Sequence, residues 1–250
     1  MRASTYVLHF LDRCLGVVHA TRRRAVVFAV SALLAGGRLS LTALARGAPG
    51  PALVKHRIKR IDRLFGNDML HQELPVYYAA LAAFVLQQQP RPIILVDWTP
   101  AGVGSLHCAL AASVPVCGRA LIIYAEVYDY HQTAEQAVGI YALRMQTEET
   151  FRDLKSHRFG WSFEDARSES SDRMAVMIML AAIAAVIAML VDAAAEAMGF
   201  EQRYQANTIR KRRVLSLIYL GKEVMRSANP EVCSFAPHCW PLLPIAVVPT

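Results

Sequence analysis

Five cysteines, at positions 14, 108, 117, 233 and 239, are all that 250 residues contain, and none forms a Cys-x-x-Cys pair or stands near histidines at zinc-finger spacing. That leaves no zinc-finger framework and points to reduced thiols in a cytosolic setting. Met1 to Gly16 has no uninterrupted apolar core, because Arg2, Asp12 and Arg13 break it, so export is not expected. Acidic residues are the minority charge: 20 Asp and Glu face 27 Lys and Arg, for a net charge of +7 and a pI near 9.3. The imbalance favours a polyanionic partner such as nucleic acid, although ordinary basic solubility explains it as well. Apolar residues are plentiful at 54%, ample for the core of one large domain or two small ones.

An uncharged run, Met174 to Val191, is just long enough to span a bilayer. Much of it is alanine, a weak lipid partner. Asp172 and Arg173 precede it, and Asp192 and Glu196 continue its helical pattern, as in a helix buried inside protein. A small membrane protein is therefore the lesser reading.

Residues 1–90 read as a helical region, with apolar stretches at Ala25–Leu34 and Leu74–Leu86 separated by Gly36, Gly37 and the Gly47–Pro51 turn cluster. Ser40 to Arg46 has the form of a short capped helix. After it, Lys55, Arg57, Lys59, Arg60 and Arg63 crowd into nine residues, while Ile58, Ile61 and Leu64 anchor the opposite face. Such a helix presents cations to a phosphate backbone, or is simply a solvated surface. Pro90 and Pro92 then mark a change of character. Ile93 to Val96 predicts a buried strand delivering Asp97 at its end, and Leu106–Val114 and Ala120–Val127 predict two more, joined by a turn at Pro115–Arg119. Tight connections between them imply an antiparallel meander. From Thr133 to His157 the pattern returns to helix, without proline.

On that helix Tyr141, Arg144, Glu148 and Lys155 fall within an arc of roughly 60° at about 100° per residue. A phenol, a guanidinium, a carboxylate and an ammonium on one face suit a metal ion beside a DNA phosphate; a solvated amphipathic helix fits the spacing too. Downstream, Arg210, Lys211, Arg212 and Arg213 precede the apolar Val214–Gly221, which reads as a second backbone grip or as a plain helix start.

The spacing of two, three and six residues between those four positions resembles the Tyr-Arg-Glu-Lys signature of bacterial insertion-sequence transposases of the DDE type. The wording from Glu148 to Gly160 is similar to theirs as well, and Asp97 in Leu95-Val96-Asp97-Trp98-Thr99 resembles their first catalytic aspartate. Similarity runs from about Leu41 to Arg226 with one break. The resemblance implies an α/β (α+β) fold: an incomplete ribonuclease-H-like core whose three-strand antiparallel meander packs on helices, flanked by helical terminal regions. It further implies metal-dependent phosphodiester cleavage and strand transfer at transposon ends, with Asp97 and Glu148 as catalytic ligands of Mg2+ or Mn2+. Tyr141, Arg144 and Lys155 would hold transposon-end phosphates. Lys55, Arg57, Lys59, Arg60 and the run Arg210, Lys211, Arg212 and Arg213 would grip DNA elsewhere. Trp98 would supply stacking, or be a buried strand-end indole.

The chain also departs from that pattern. Relatives of this kind place further strands and a second catalytic Asp before the glutamate helix, yet only five residues separate Val127 from Thr133. Glu126, Asp129 and Glu135 are the carboxylates between Asp97 and Glu148, and Asp129 is the least unsuitable replacement. A two-metal displacement needs both oxygens clamped, so DNA binding with little or no strand transfer is expected. An alternative is a non-catalytic regulator that occupies terminal repeats or forms mixed oligomers with intact copies. An unpaired sheet edge would favour oligomerisation or low solubility. The expected layout is a DNA-binding region over 1–90, a shortened catalytic core over 91–165, a helical region over 166–228 and a tail over 229–250 without stable structure, in a cytoplasmic bacterial protein.

Overall fold

A computed structural model describes residues 18–48, 50–86, 92–101, 107–116, 119–129, 155, 161–162, 168, 170–204, 213–227, 230–236 and 239. Among the described residues four helices come first: α1 (Ala20–Leu34), α2 (Leu41–Gly47), α3 (Val54–Phe65) and α4 (Asp68–Leu86). Three strands follow, β1 (Leu95–Ala101), β2 (His107–Val116) and β3 (Arg119–Asp129). The described chain ends with α5 (Ser171–Ala197), α6 (Glu201–Tyr204), α7 (Leu217–Arg226) and α8 (Pro230–Phe235).

The sheet is the expected antiparallel meander in the order β1-β2-β3. Leu95 pairs with Ser113 and Ala101 with His107, while β2 and β3 pair from His107 with Asp129 to Val116 with Arg119, with one irregularity at Ala112/Ser113. The first strand differs from expectation. It runs four residues beyond Asp97, through Trp98, Thr99 and Pro100 to Ala101, so the aspartate sits inside the strand rather than at its end. Pro100 lies on β1, the sheet's edge among the described residues, which is where a strand accommodates proline.

Helix α5 is the spine of the molecule. It packs against β3 and against α1, α4, α7 and α8. Its most apolar stretch is 94% buried within the protein, although in length and composition it would also cross a bilayer. Ser170 caps its start, the hydroxyl oxygen accepting from the Arg173 N–H at 3.4 Å, and Asp172 in the first turn complements the helix dipole. The Arg173 guanidinium reaches Asp62 of α3 at 2.7 Å, tying the two helices together. Crossing α5, α7 comes so close at Gly221 that a Cβ there would stand 1.9 Å from the Ala188 carbonyl oxygen. Only a residue without a side chain permits that approach.

In α3 the periodicity holds as read: Ile61 and Leu64 are buried and Ile58 is packed against the core. Beyond Asn229, where the sequence predicts no stable structure, Pro230–Phe235 is a short helix and Val232, Ala236 and Cys239 are fully buried. A few apolar side chains that find α5 suffice to order this part of the tail.

Candidate active site and cationic surfaces

Side chains alternate across a strand, so Asp97 shares the face of Leu95, Thr99 and Ala101, all three buried. Asp97 itself is half-buried, and its Oδ1 accepts from the Trp98 N–H at 2.9 Å. Trp98 points to the opposite face, where its ring lies 5.5 Å from that of Tyr128 in a tilted pair. The indole is therefore engaged with a side chain of β3, reaching across β2 on that face of the sheet.

Which acidic groups accompany Asp97 follows from the register. Glu126 pairs through Leu110 with Trp98, placing it on the other face of the sheet. There the Tyr124 and Tyr128 hydroxyls both donate to its carboxylate. Those two hydrogen bonds hold Glu126 below the usual carboxylate range, while the bond to Glu126 pushes Tyr124 up to about 12. Asp129 does share Asp97's face, but it lies in the row of His107 and Ala101, whereas Asp97 lies in the row of Ala111 and Ala125. Two strands over at about 4.8 Å each and four residues along at about 3.3 Å each put the two Cα positions roughly 16 Å apart. Carboxylates that share a pair of metals 3.5–4 Å apart must converge far more closely than that. Asp129 is instead taken up by buried His107, whose Nδ1 lies 2.9 Å from Asp129 Oδ1 and whose Nε2 lies 3.2 Å from the Ser168 carbonyl oxygen.

Tyr141, Arg144, Glu148 and Glu135 lie outside the described residues, as do Arg210, Lys211 and Arg212. Lys155 is described, helical and half-buried. Among the described residues no group of three His, Cys, Asp or Glu side chains is placed to hold a metal ion. Asp97 is the one candidate ligand among the described residues, and a single carboxylate does not fit a two-metal centre.

The cations on α3 divide into two kinds. Lys55 and Lys59 are exposed. Arg57 donates to the Ala48 carbonyl, and Arg60 donates to the Arg24 carbonyl at 3.3 Å with its guanidinium 4.1 Å from the Phe28 ring centre. Burial lowers the pKa of Arg60 from its ordinary value. Arg213 is committed within the fold: its guanidinium pairs with Asp192 of α5, donates to Glu196 at 3.1 Å and to the Leu215 carbonyl at 2.9 Å. The Asp192–Arg213 pair escaped the sequence reading, because a lone acid after an apolar run and an arginine in a basic run carry no mark of each other.

The family described as a transposase DDE domain matches residues 51–187, more than half of the chain, from just ahead of α3 into α5. No curated protein and no solved structure matches.

Proposed function

The chain belongs to the transposase DDE domain family, and from that membership we propose that it binds transposon-end DNA as an insertion-sequence transposase of the Tyr-Arg-Glu-Lys group with impaired catalysis. The family is one of DNA-transposing nucleases that use divalent metal ions. The observation that carries the reading is the match itself, which encloses Asp97 on β1. Asp97 and Glu148 are the remaining ligand pair, with magnesium held weakly. Tyr141, Arg144 and Lys155 contact transposon-end phosphates, with Lys55, Arg57, Lys59, Arg60 and the 210–212 segment adding backbone contacts, while Arg213 stays with Asp192 inside the fold. A cytoplasmic location fits this role, since the substrate is chromosomal DNA.

Impairment is supported by the register, which sets Glu126 on the far face and Asp129 roughly 16 Å away from Asp97. The same observation favours a second reading, a non-catalytic regulator that occupies terminal repeats or joins mixed oligomers with intact copies. Incubation with duplex carrying terminal repeats, in magnesium, separates the outcomes. Binding without nicked product is expected. Metal-dependent cleavage abolished by Asp97→Ala would refute the impairment, and absence of any duplex binding would refute the DNA reading.

A further inference from the structure

A groove of about 580 Å³ opens between α1 and α3, two helices that no local sequence pattern places together. Ala25 of α1 and Leu64 of α3 contribute apolar surface, and Arg22, Lys59, Arg60 and Arg63 bring four cations to it. Positions 59, 60 and 63 share one face of α3 because residues three and four apart on a helix are neighbours. Two of the four cations are already tied to the protein. Arg22 is held by Glu73 of α4, with Nε donating at 2.7 Å and Nη2 forming a second contact, and Arg60 is held by the Arg24 carbonyl and the Phe28 ring. Lys59 and Arg63 are exposed and form no ion pair among the described residues. One helical turn separates them, a rise of about 6 Å, comparable with two steps of the roughly 3.4 Å axial rise per phosphate of one DNA strand.

We propose that this groove is a docking channel for the sugar–phosphate backbone of one strand of duplex DNA, with Lys59 and Arg63 contacting phosphates and Arg22 and Arg60 forming fixed positive walls. Apolar surface from Ala25 and Leu64 suits the carbon edge of a deoxyribose, and the open shape admits a continuous polymer. The α3 wall falls inside the family match over residues 51–187 and the α1 wall outside it. The inference rests on the DNA-binding reading above and adds a location to it.

The test uses the full chain and a fluorescently labelled duplex, with anisotropy titrations across a range of KCl. Each phosphate contact contributes about 0.9 to the slope of log affinity against log salt. Replacing Lys59 and Arg63 together with Ala is expected to flatten the slope by about 1.8 and to weaken binding more than about tenfold near 0.1 M salt. The charge-matched pair Arg46→Ala with Arg203→Ala, on α2 and α6, is expected to keep the wild-type slope. Should the alanine pair fold poorly, Lys59→Gln with Arg63→Gln removes the same charges while keeping long, helix-compatible side chains. A groove variant that binds with the wild-type slope, while wild type binds DNA, overturns the channel and leaves the DNA reading standing. Wild type that binds no duplex overturns both. Polyglutamate displacing duplex at equal charge concentration would assign the groove to an acidic protein segment and overturn the proposal.

Discussion

Arg213→Ala should destabilise the protein strongly at pH 8 and weakly at pH 5. Asp192 is fully buried; its Oδ1 pairs with Arg213, and its Oδ2 has no hydrogen-bond partner among the described residues. Burial pushes this carboxyl up from its ordinary 3.8 to about 7, against the opposing pull of the Arg213 guanidinium. The folded pKa thus exceeds the unfolded one, so between about pH 4 and pH 7 the native state keeps a proton that the unfolded chain has released. Stability from this group is full below that window and falls as pH rises through it. At about 1.4 kcal/mol per pKa unit the total is on the order of 4 kcal/mol. Above pH 7 the carboxylate is ionised and depends on Arg213, and removing one partner of a buried pair costs roughly 3–5 kcal/mol. At pH 5 Asp192 is protonated and the substitution removes a hydrogen bond worth about 1 kcal/mol. The exposed contact with Glu196 adds little. Urea unfolding followed by tryptophan fluorescence, wild type against variant at both pH values, measures the difference. Adding Asp192→Asn to Arg213→Ala should restore most of the loss at pH 8. An equal loss at both pH values, or no rescue by Asn, would refute the reasoning.

Two further substitutions probe the packing of α5. Gly221→Ala would ordinarily gain up to about 1 kcal/mol of helix propensity; here the new Cβ meets the backbone of Ala188, so a loss of about 3 kcal/mol is expected in the same urea assay. A gain in stability would mean that α5 and α7 do not approach as described. Ser170→Ala removes the cap of α5 and should lower stability by about 1 kcal/mol, seen as a lower urea midpoint with unchanged slope. An unchanged midpoint would show that the 3.4 Å cap contributes nothing.

The sheet was legible because local rules governed it. β-Branched runs, a proline-glycine turn and short spacings predicted three antiparallel strands, and all three are present. The end of β1 was not legible: Trp98-Thr99-Pro100-Ala101 breaks the apolar run, and only the edge position makes a proline acceptable there. Burial of α5 was foreshadowed by Asp192 continuing the helical pattern, yet its partner lies 21 residues away in a basic segment that reads as a nucleic-acid patch. Likewise the face of Asp97 follows from strand alternation, but its distance from Asp129 depends on pairing register, which no local pattern specifies. The α1–α3 groove is farther still from local rules, since helix adjacency is decided by the whole core.

The order of synthesis gives α5 a further significance. Its covering layers from α1, α4 and β3 are made before it, but α7 and α8 leave the ribosome afterwards. Until Leu217–Arg226 has emerged, one flank of a long, oily rod stands bare in a half-made molecule, attractive to chaperones, to other nascent copies and to any bilayer nearby. Gly221, by letting the late-arriving helix lie directly on Ala188, completes the burial.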